Sequence, residues 1–507
     1  MTYPQTVLPT PLGVPILGQN SKDPLVGMDP KYCSYTLNWE PNPRSLRVRN
    51  GVVRHCVIPD GFAPAQLLAS GSKLFAYCLK TANNARIYDI TTSTPSLAYT
   101  LGGVGGPLSC FNFAGSSAIV GTIAGASVVY DGSSWGDMGF TKGGTGINPR
   151  VGCSYKGRVY LGTTPTLIYY SALAGVTGAC TNWDLSTVFR KTGNVNVIAS
   201  LSPPTNKLDD QMLVVGLDAG EVLVYAGDNP GASNWQLVAH FDLPELRGYN
   251  PFLSFNNDIW IITKNGLFSV RALFQYDASD LERISPSFII NSDITTLQSF
   301  STSTAGGLHS SLTFSEDKSL VYLGMYGYVN NAGTRSAGIS IWTYNILSKA
   351  WTYSRNVLLD IGGKSLTYFG PEKTIFFPNY FIDSVVYKIS NTVFYDEDAA
   401  GDDYSYSYAL HSAYFDLGSG QTKRVHGWEP LIRTDFAGAD VTMKTATDFG
   451  RKVSAASSNA LLAAGGYQAP TYNVGGQGSY FQYRIEGNST QAATVGLELY
   501  SVGAIVT

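Results

Sequence analysis

The chain has 507 residues, with 34 Lys and Arg against 37 Asp and Glu, for a formal net charge of −3. Hydrophobic residues make up 44%, too many for a disordered chain, and the near-neutral balance leaves no electrostatic footprint for nucleic acid. No apolar run approaches the ~18 residues of a membrane-spanning helix, and the start Met1-Thr2-Tyr3-Pro4-Gln5 lacks the basic segment of a secretory signal, the first Lys being Lys22.

Residues 1–50 carry Pro4, Pro9, Pro11, Pro15, Pro24, Pro30, Pro41 and Pro43. Proline fixes φ and removes a backbone donor, so this stretch reads as an extended N-terminal arm. Leu37, Trp39, Leu46 and Val48 still need burial, which the arm is expected to find on a neighbouring protein. Deleting residues 1–36 should then leave stability unchanged and impair assembly. The strand Val52-Val53-Arg54-His55-Cys56-Val57-Ile58 is placed to close a ring by joining the last unit of the repeat that follows.

That repeat is a short apolar run, a turn and a second run, seen seven times. Equivalent positions in the first runs are Leu74, Ala118, Val159, Met212, Ile259, Leu320 and Thr374, about 40–60 residues apart. Second runs include Ile87-Tyr88-Asp89, Val128-Val129-Tyr130, Leu167-Ile168-Tyr169-Tyr170, Leu223-Val224-Tyr225, Ile341-Trp342-Thr343-Tyr344 and Val385-Val386-Tyr387. A Trp follows at Trp135, Trp183, Trp235 and Trp351. Short strands rich in Val, Ile and Tyr between Gly, Asn, Asp and Ser are hairpins, and about four strands per unit at this period is the β-propeller pattern. Seven blades are predicted, with six or eight as alternatives. Trp183-Asp184 is the only Trp-Asp pair and no Gly-His accompanies it, so the WD40 subtype fits badly; Asp131-Gly132-Ser133-Ser134-Trp135 has the residues of a sialidase box at the wrong spacing.

Asp396, Glu397, Asp398, Asp402 and Asp403 form an acidic stretch that reads as a solvated linker; its Asp396, Asp398, Asp402 and Asp403 are alternatively carboxylates able to gather a hard cation. Beyond it, Val441–Thr445, Tyr480–Ile485 and Leu497–Val502 alternate like half-buried strands. The expected organisation is an arm over 1–50, an all-β propeller over 51–403 and a small antiparallel β-sandwich over 404–507. Helix should stay below ~15% of residues, because no 3.6-residue stripe is present.

Nothing in the chain forms a catalytic, cofactor-binding or metal-ligating constellation. Gly132-Ser133-Ser134-Trp135-Gly136 matches G-x-S-x-G, which needs a strand-to-helix elbow, whereas here it sits between strands; Ser134 is assigned to a hairpin turn. Ser70-Gly71-Ser72-Lys73 and Ser315-Glu316-Asp317-Lys318 match S-x-x-K in turn-rich sequence. Gly102–Gly106 lacks the Gly-Lys ending of a phosphate loop. Asp209-Asp210 offers no placed carboxylate pair. His55, His240, His309, His411 and His426 have no metal spacing. Cys33, Cys56, Cys78, Cys110, Cys153 and Cys180 show no C-x-x-C and read as buried reduced thiols. Asn488-Ser489-Thr490 is a glycosylation sequon, meaningful only in a secreted chain. No hydrolase activity on glycans or esters is expected.

The order of parts is itself informative. Leu37-Asn38-Trp39-Glu40-Pro41 and Leu46-Arg47-Val48-Arg49-Asn50-Gly51 precede the propeller. Arg283-Ile284-Ser285-Pro286-Ser287 follows its fifth hairpin. Ala413-Tyr414-Phe415-Asp416-Leu417-Gly418 and Lys423-Arg424-Val425 introduce the last domain. This architecture resembles the tail hub, or nozzle, proteins of short-tailed bacteriophages, also called packaged-DNA stabilisation proteins. The resemblance implies a structural virion protein of the tail, made in the host cytoplasm. It implies a hexameric ring below the head-to-tail adaptor that extends the DNA exit channel, carries tail fibres or tailspikes and permits ejection. It implies no catalytic residue, no cofactor and only weak, non-specific contact with passing DNA. The alternative is a carbohydrate-binding or glycan-cleaving propeller, whose 63 aromatic residues can stack on sugars, although strands favour aromatics anyway.

Overall fold

A computed structural model describes residues 10–25, 27–81, 84–102, 107–113, 115–121, 127–163, 165–202, 210–248, 251–276, 285–301, 310–329, 335–356, 365–378, 384–398, 400–417, 422–434, 440–460, 466–489 and 497–506. Strand accounts for 57% and helix for 5%, well under the ~15% ceiling set by the period-2 patterning. The chain is an all-β protein.

Seven antiparallel sheets follow one another over residues 63–100, 107–137, 151–184, 195–242, 252–269, 310–356 and 367–389. The first strand of each touches the first strand of the next: Ala63–Ser70, Pro107–Phe113, Val151–Tyr155, Val195–Leu201, Phe252–Phe255, Ser310–Ser315 and Thr367–Phe369, the last returning to Ala63–Ser70. This cycle of inner strands is a seven-bladed propeller. Val52–Val57 supplies the outer strand of blade seven by pairing antiparallel with Val385–Ile389, Val57 opposite Val385 and Val52 opposite Ile389. The ring is therefore closed by the start of the propeller segment against its end, as the sequence suggested.

The repeat in the sequence maps onto definite strands. The first apolar runs are the second strands of the seven blades, and the second runs are third strands. Both lie mid-sheet between flanking blades, which explains why they are apolar on both faces. Leu213, Val214 and Val215 are all fully buried. Among the described residues, one apolar cluster fills each of the seven interfaces between neighbouring blades. Among the described residues blade five has three strands. A short helix, Val270–Leu273, follows its third strand, capped by Ser269 Oγ accepting from Ala272 N.

The second body is a two-sheet sandwich. One sheet orders Trp39–Pro41, Leu46–Val48, Leu497–Val506, Lys423–Thr434 and Gly466–Gln468, with Thr10–Pro11 also on Leu497–Val506. The other orders Cys33–Leu37, Ser407–Ser412, Phe481–Asn488, Asp440–Thr447 and Lys452–Val453. Its core holds Trp39, Trp428, Tyr472, Phe481 and Tyr483, none of them exposed.

Here the structure corrects the expected arm. Residues 33–48 do not await another protein; they supply three strands of the sandwich that the C-terminal residues complete. The prolines are compatible because they avoid the interior of these strands. Cys33–Leu37 and Leu46–Val48 contain none, and Pro41 ends its strand opposite Leu46. Trp39, Leu46 and Val48 are buried against Val425, Ile432 and Leu499 within the same chain. The propeller is thus inserted into the sandwich, entering after Val48 and leaving after Ile389.

Candidate functional site at the propeller–sandwich junction

The motifs raised by the sequence do not converge. Ser134 lies in the turn joining Val128–Tyr130 to Trp135–Asp137, where Asp131 Oδ1 accepts from the backbone N of Ser133 and Ser134 and Asp131 Oδ2 accepts from Ser134 Oγ. These bonds hold the Asp131 carboxyl well below its usual range. The hydroxyl serves a turn, donating to the Asp131 carboxylate at 3.2 Å. All six cysteines are free, and burial pushes the thiols of Cys56 and Cys110 up to about 12 and that of Cys180 to about 11. His55 Nε2 lies 2.7 Å from Ile90 O, and His240 Nε2 lies 2.5 Å from Glu221 Oε1, on opposite sides of the chain order. His309, Asp209, Arg283, Ile284, Gly418, Thr490 and most of Gly102–Gly106 lie outside the described residues. Among the described residues no three His, Cys, Asp or Glu side chains stand close enough to share a metal ion.

Within the acidic stretch Asp402 is exposed, as a linker residue would be, but Asp396 is not. Asp396 is buried and takes the guanidinium of buried Arg49 in a two-pronged pair, Nη1 to Oδ1 at 2.8 Å and Nη2 to Oδ2 at 2.6 Å. Oδ1 also accepts Val52 N at 2.9 Å. Arg49 Nε donates to Asn38 Oδ1 at 2.9 Å, Nη1 donates to Asn50 O, and the guanidinium stacks 4.0 Å over the Tyr406 ring. Tyr406 OH in turn donates to Arg49 O. Asp398 caps its own turn, accepting from Gly401 N and Asp402 N at 2.9 Å.

Asn38 sits at φ +61, a left-handed conformation that Asn tolerates better than most residues. That twist lets its amide face both bodies. Nδ2 donates to Ser407 O in the sandwich at 2.6 Å, while Oδ1 accepts Arg355 N from blade six at 3.0 Å. Its backbone N donates to Tyr353 O at 2.8 Å. Next to it Glu40, also buried, accepts from Arg47 Nη2 at 2.7 Å and from Tyr322 OH of blade six at 3.2 Å. Asn345 Nδ2 of the same blade donates to Pro41 O at 2.9 Å. A space of about 20 Å³ beside Glu40, Arg49 and Asn50 has room for one water molecule. These contacts join the two bodies, while Arg47 Nε, Asn50 Oδ1 and Ser354 Oγ are buried beside them without a hydrogen-bond partner.

Burial alone would raise the Glu40 carboxyl. The charges of Lys318 and Arg47, with the bonds from Arg47 and Tyr322, outweigh it and hold the group at about 2. The unfolded value is near 4.3, so the native state binds fewer protons. This stabilisation is present above about pH 4.5 and is lost as pH falls toward 2. We expect Glu40→Gln to flatten the acid limb of a plot of unfolding free energy against pH between 4.5 and 2 by about 3 kcal/mol. Urea titrations at stepped pH check this, and an unchanged acid limb would remove Glu40 from the account.

Sequence reading did not find this cluster. Arg49 and Asp396 stand 347 residues apart, and no spacing rule links them. The available signals were an Arg-Asn pair at the end of an apolar run and an Asp opening an acidic one.

Fold and junction together define the class: a seven-bladed propeller inserted into, and locked onto, a β-sandwich. No family model and no curated protein matches the sequence. Solved structures do resemble it in part. The WD40 β-propeller domain of Doa1 aligns at a TM-score of 0.41 and 10% identity, over 68% of this chain and 97% of that one. The computationally designed Ika8 protein aligns at 0.39 and 13%, over 66% and 99%. YCF48 bound to a D1 peptide aligns at 0.37 and 13%, over 70% and 96%.

Proposed function

We propose that the chain is a structural component of a short-tailed bacteriophage tail, the hub or nozzle that continues the DNA exit channel below the adaptor and anchors fibres or spikes. The observation that supports this reading best is the junction. A buried ion pair and its hydrogen bonds fix a propeller to a sandwich, which suits a rigid building block. In this reading the chain performs no catalysis and works in the virion as a homo-oligomeric ring, six copies by the family resemblance. The axis of a seven-bladed propeller is narrow, so DNA passes between subunits. Six copies at −3 carry about −18, which disfavours gripping phosphate and favours sliding.

Electron microscopy of assembled tails tests the proposal. A closed ring of this chain between adaptor and fibres is expected, and a monomer in the particle would refute it. DNA binding by the purified protein, titrated against salt, should be weak with a shallow slope; a steep slope would mean that its basic residues form a true DNA site.

A further inference from the structure

We propose that the chain cross-links itself at the junction, by an ester between the Thr36 hydroxyl and the Gln19 side chain that forms with the help of the Asp293 carboxyl. Three separate elements bring these groups together. Gln19 lies in a segment that crosses from the sandwich to blade six. Gly18 before it stands at φ +73, and a Cβ there would collide with Trp351 O, so glycine lets the segment run this close to the blade. Thr36 lies on the sandwich strand Cys33–Leu37, and Asp293 lies in the first turn of the helix Asn291–Ser301.

The Gln19 amide is held at each of its polar atoms. Oε1 accepts Thr36 N at 2.9 Å and Thr36 Oγ1 at 3.0 Å, and Nε2 donates to Asp293 Oδ2 at 3.1 Å. The Thr36 hydroxyl is fixed from its other side, where Oγ1 accepts Tyr353 N at 3.0 Å. Gln19 is 6% exposed and Thr36 is fully buried. Burial raises the Asp293 carboxyl above the ordinary range, against the bonds from Ser21 and Gln19.

An amide in water is inert to a hydroxyl. Exchange requires a held nucleophile, a donor where negative charge develops, an acid for the leaving nitrogen and the exclusion of water. Each requirement has its counterpart here. Oγ1 sits 3.0 Å from Oε1, and a carbonyl bond of about 1.2 Å places it within roughly 4 Å of the Gln19 carbonyl carbon, so a small rotation of the amide brings on attack. Thr36 N already donates to Oε1, and Asp293 touches the nitrogen that must leave. As Oγ1 bonds to Cδ, the hydroxyl proton passes to Oε1. Asp293 in its neutral form then protonates Nε2, the Cδ–Nε2 bond breaks and ammonia departs. The Asp293 carboxylate recovers its proton from Oε1 as the carbonyl re-forms. One ester and one ammonia result, with no change of oxidation state and no co-reactant. Burial then protects the ester from hydrolysis. The link ties the segment that seals blade six to a strand of the sandwich, and it stands or falls independently of the assembly reading.

Mass spectrometry of the purified full chain tests the link. The intact mass should fall short of the sequence mass by one ammonia. Trypsin should release residues 1–22 and 32–44 as one joined species, because cleavage after Lys22, Lys31 and Arg44 would otherwise separate them. Alkaline hydroxylamine should part the two peptides. Thr36→Val should abolish the joined species, and Asp293→Asn should abolish it while the far-UV circular dichroism stays that of the parent. Recovery of the two parental peptides separately, each at its sequence mass, would overturn the proposal, as would an ammonia loss confined to a single peptide. The parental digest decides the link whether or not either variant folds. A joined species formed in full by Asp293→Asn would overturn the part assigned to Asp293.

Discussion

Replacing Asp396 with Ala will lower the free energy of unfolding by about 3–5 kcal/mol, the cost of leaving a buried charge without its partner. Arg49 is the charge in question. Desolvation disfavours its guanidinium, and the adjacent Asp396 carboxylate more than offsets this and keeps it firmly protonated. Once Asp396 is gone, Arg49 cannot reach water without opening the contact between Asn38, Tyr406 and Val52. The loss should be seen in both bodies at once, since Asp396 also accepts from the first residue of the strand that closes blade seven. The double variant Arg49→Met, Asp396→Leu should recover most of the loss, because replacing both partners with apolar groups of similar volume removes the desolvation cost together with the attraction. Urea unfolding of the three proteins decides it. A single variant that loses less than about 1 kcal/mol would mean that the pair behaves like a surface salt bridge.

The propeller was legible because its information is local and repeated. Each blade has a second and third strand apolar on both faces, as at Leu213–Val215 and Leu223–Val224, and the turns between them carry their own signals. The sandwich was half legible, since the alternation at Val441–Thr445 and Tyr480–Ile485 reports a half-buried strand but not its partners. Its N-terminal strands were misread because proline density was weighed over the stretch as a whole. What decides the matter is where each proline falls relative to hydrogen-bonded positions, and Trp39 and Leu46 flank Pro41 and Pro43 without losing their places in a sheet. The junction was illegible for a different reason. Arg49, Asn38, Glu40 and Asp396 meet only after the whole propeller has intervened, and a charge that will be buried looks in sequence like any other charge.

Trp39→Ala will destabilise the chain by about 3–5 kcal/mol, and removal of residues 1–48 will abolish the sandwich. Trp39 is completely buried and meets Tyr408 edge-on at 5.8 Å between ring centroids, bridging the two sheets. Large-to-small changes at such sites lose both the transfer free energy and the packing around the cavity. Truncation goes further, since it deletes Trp39–Pro41, Leu46–Val48 and Thr10–Pro11 from one sheet and Cys33–Leu37 from the other. It also uncovers the outer strand of blade six, Ala350–Asn356, which now receives Gln19 N on Trp351 O at 2.7 Å, Asn38 N on Tyr353 O at 2.8 Å, and Thr36 Oγ1 against Tyr353 N at 3.0 Å. An edge stripped of those partners offers free donors and acceptors to other chains. The propeller itself should persist, because its closing strand begins at Val52 and its seven interfaces do not involve residues 1–48. The truncated protein should therefore aggregate while limited proteolysis leaves a core fragment close to residues 52–389 and digests residues 404–507. A truncated chain that melts like the intact one, with its C-terminal residues still protected, would show that the N-terminal strands are dispensable to the sandwich and would restore the free-arm alternative.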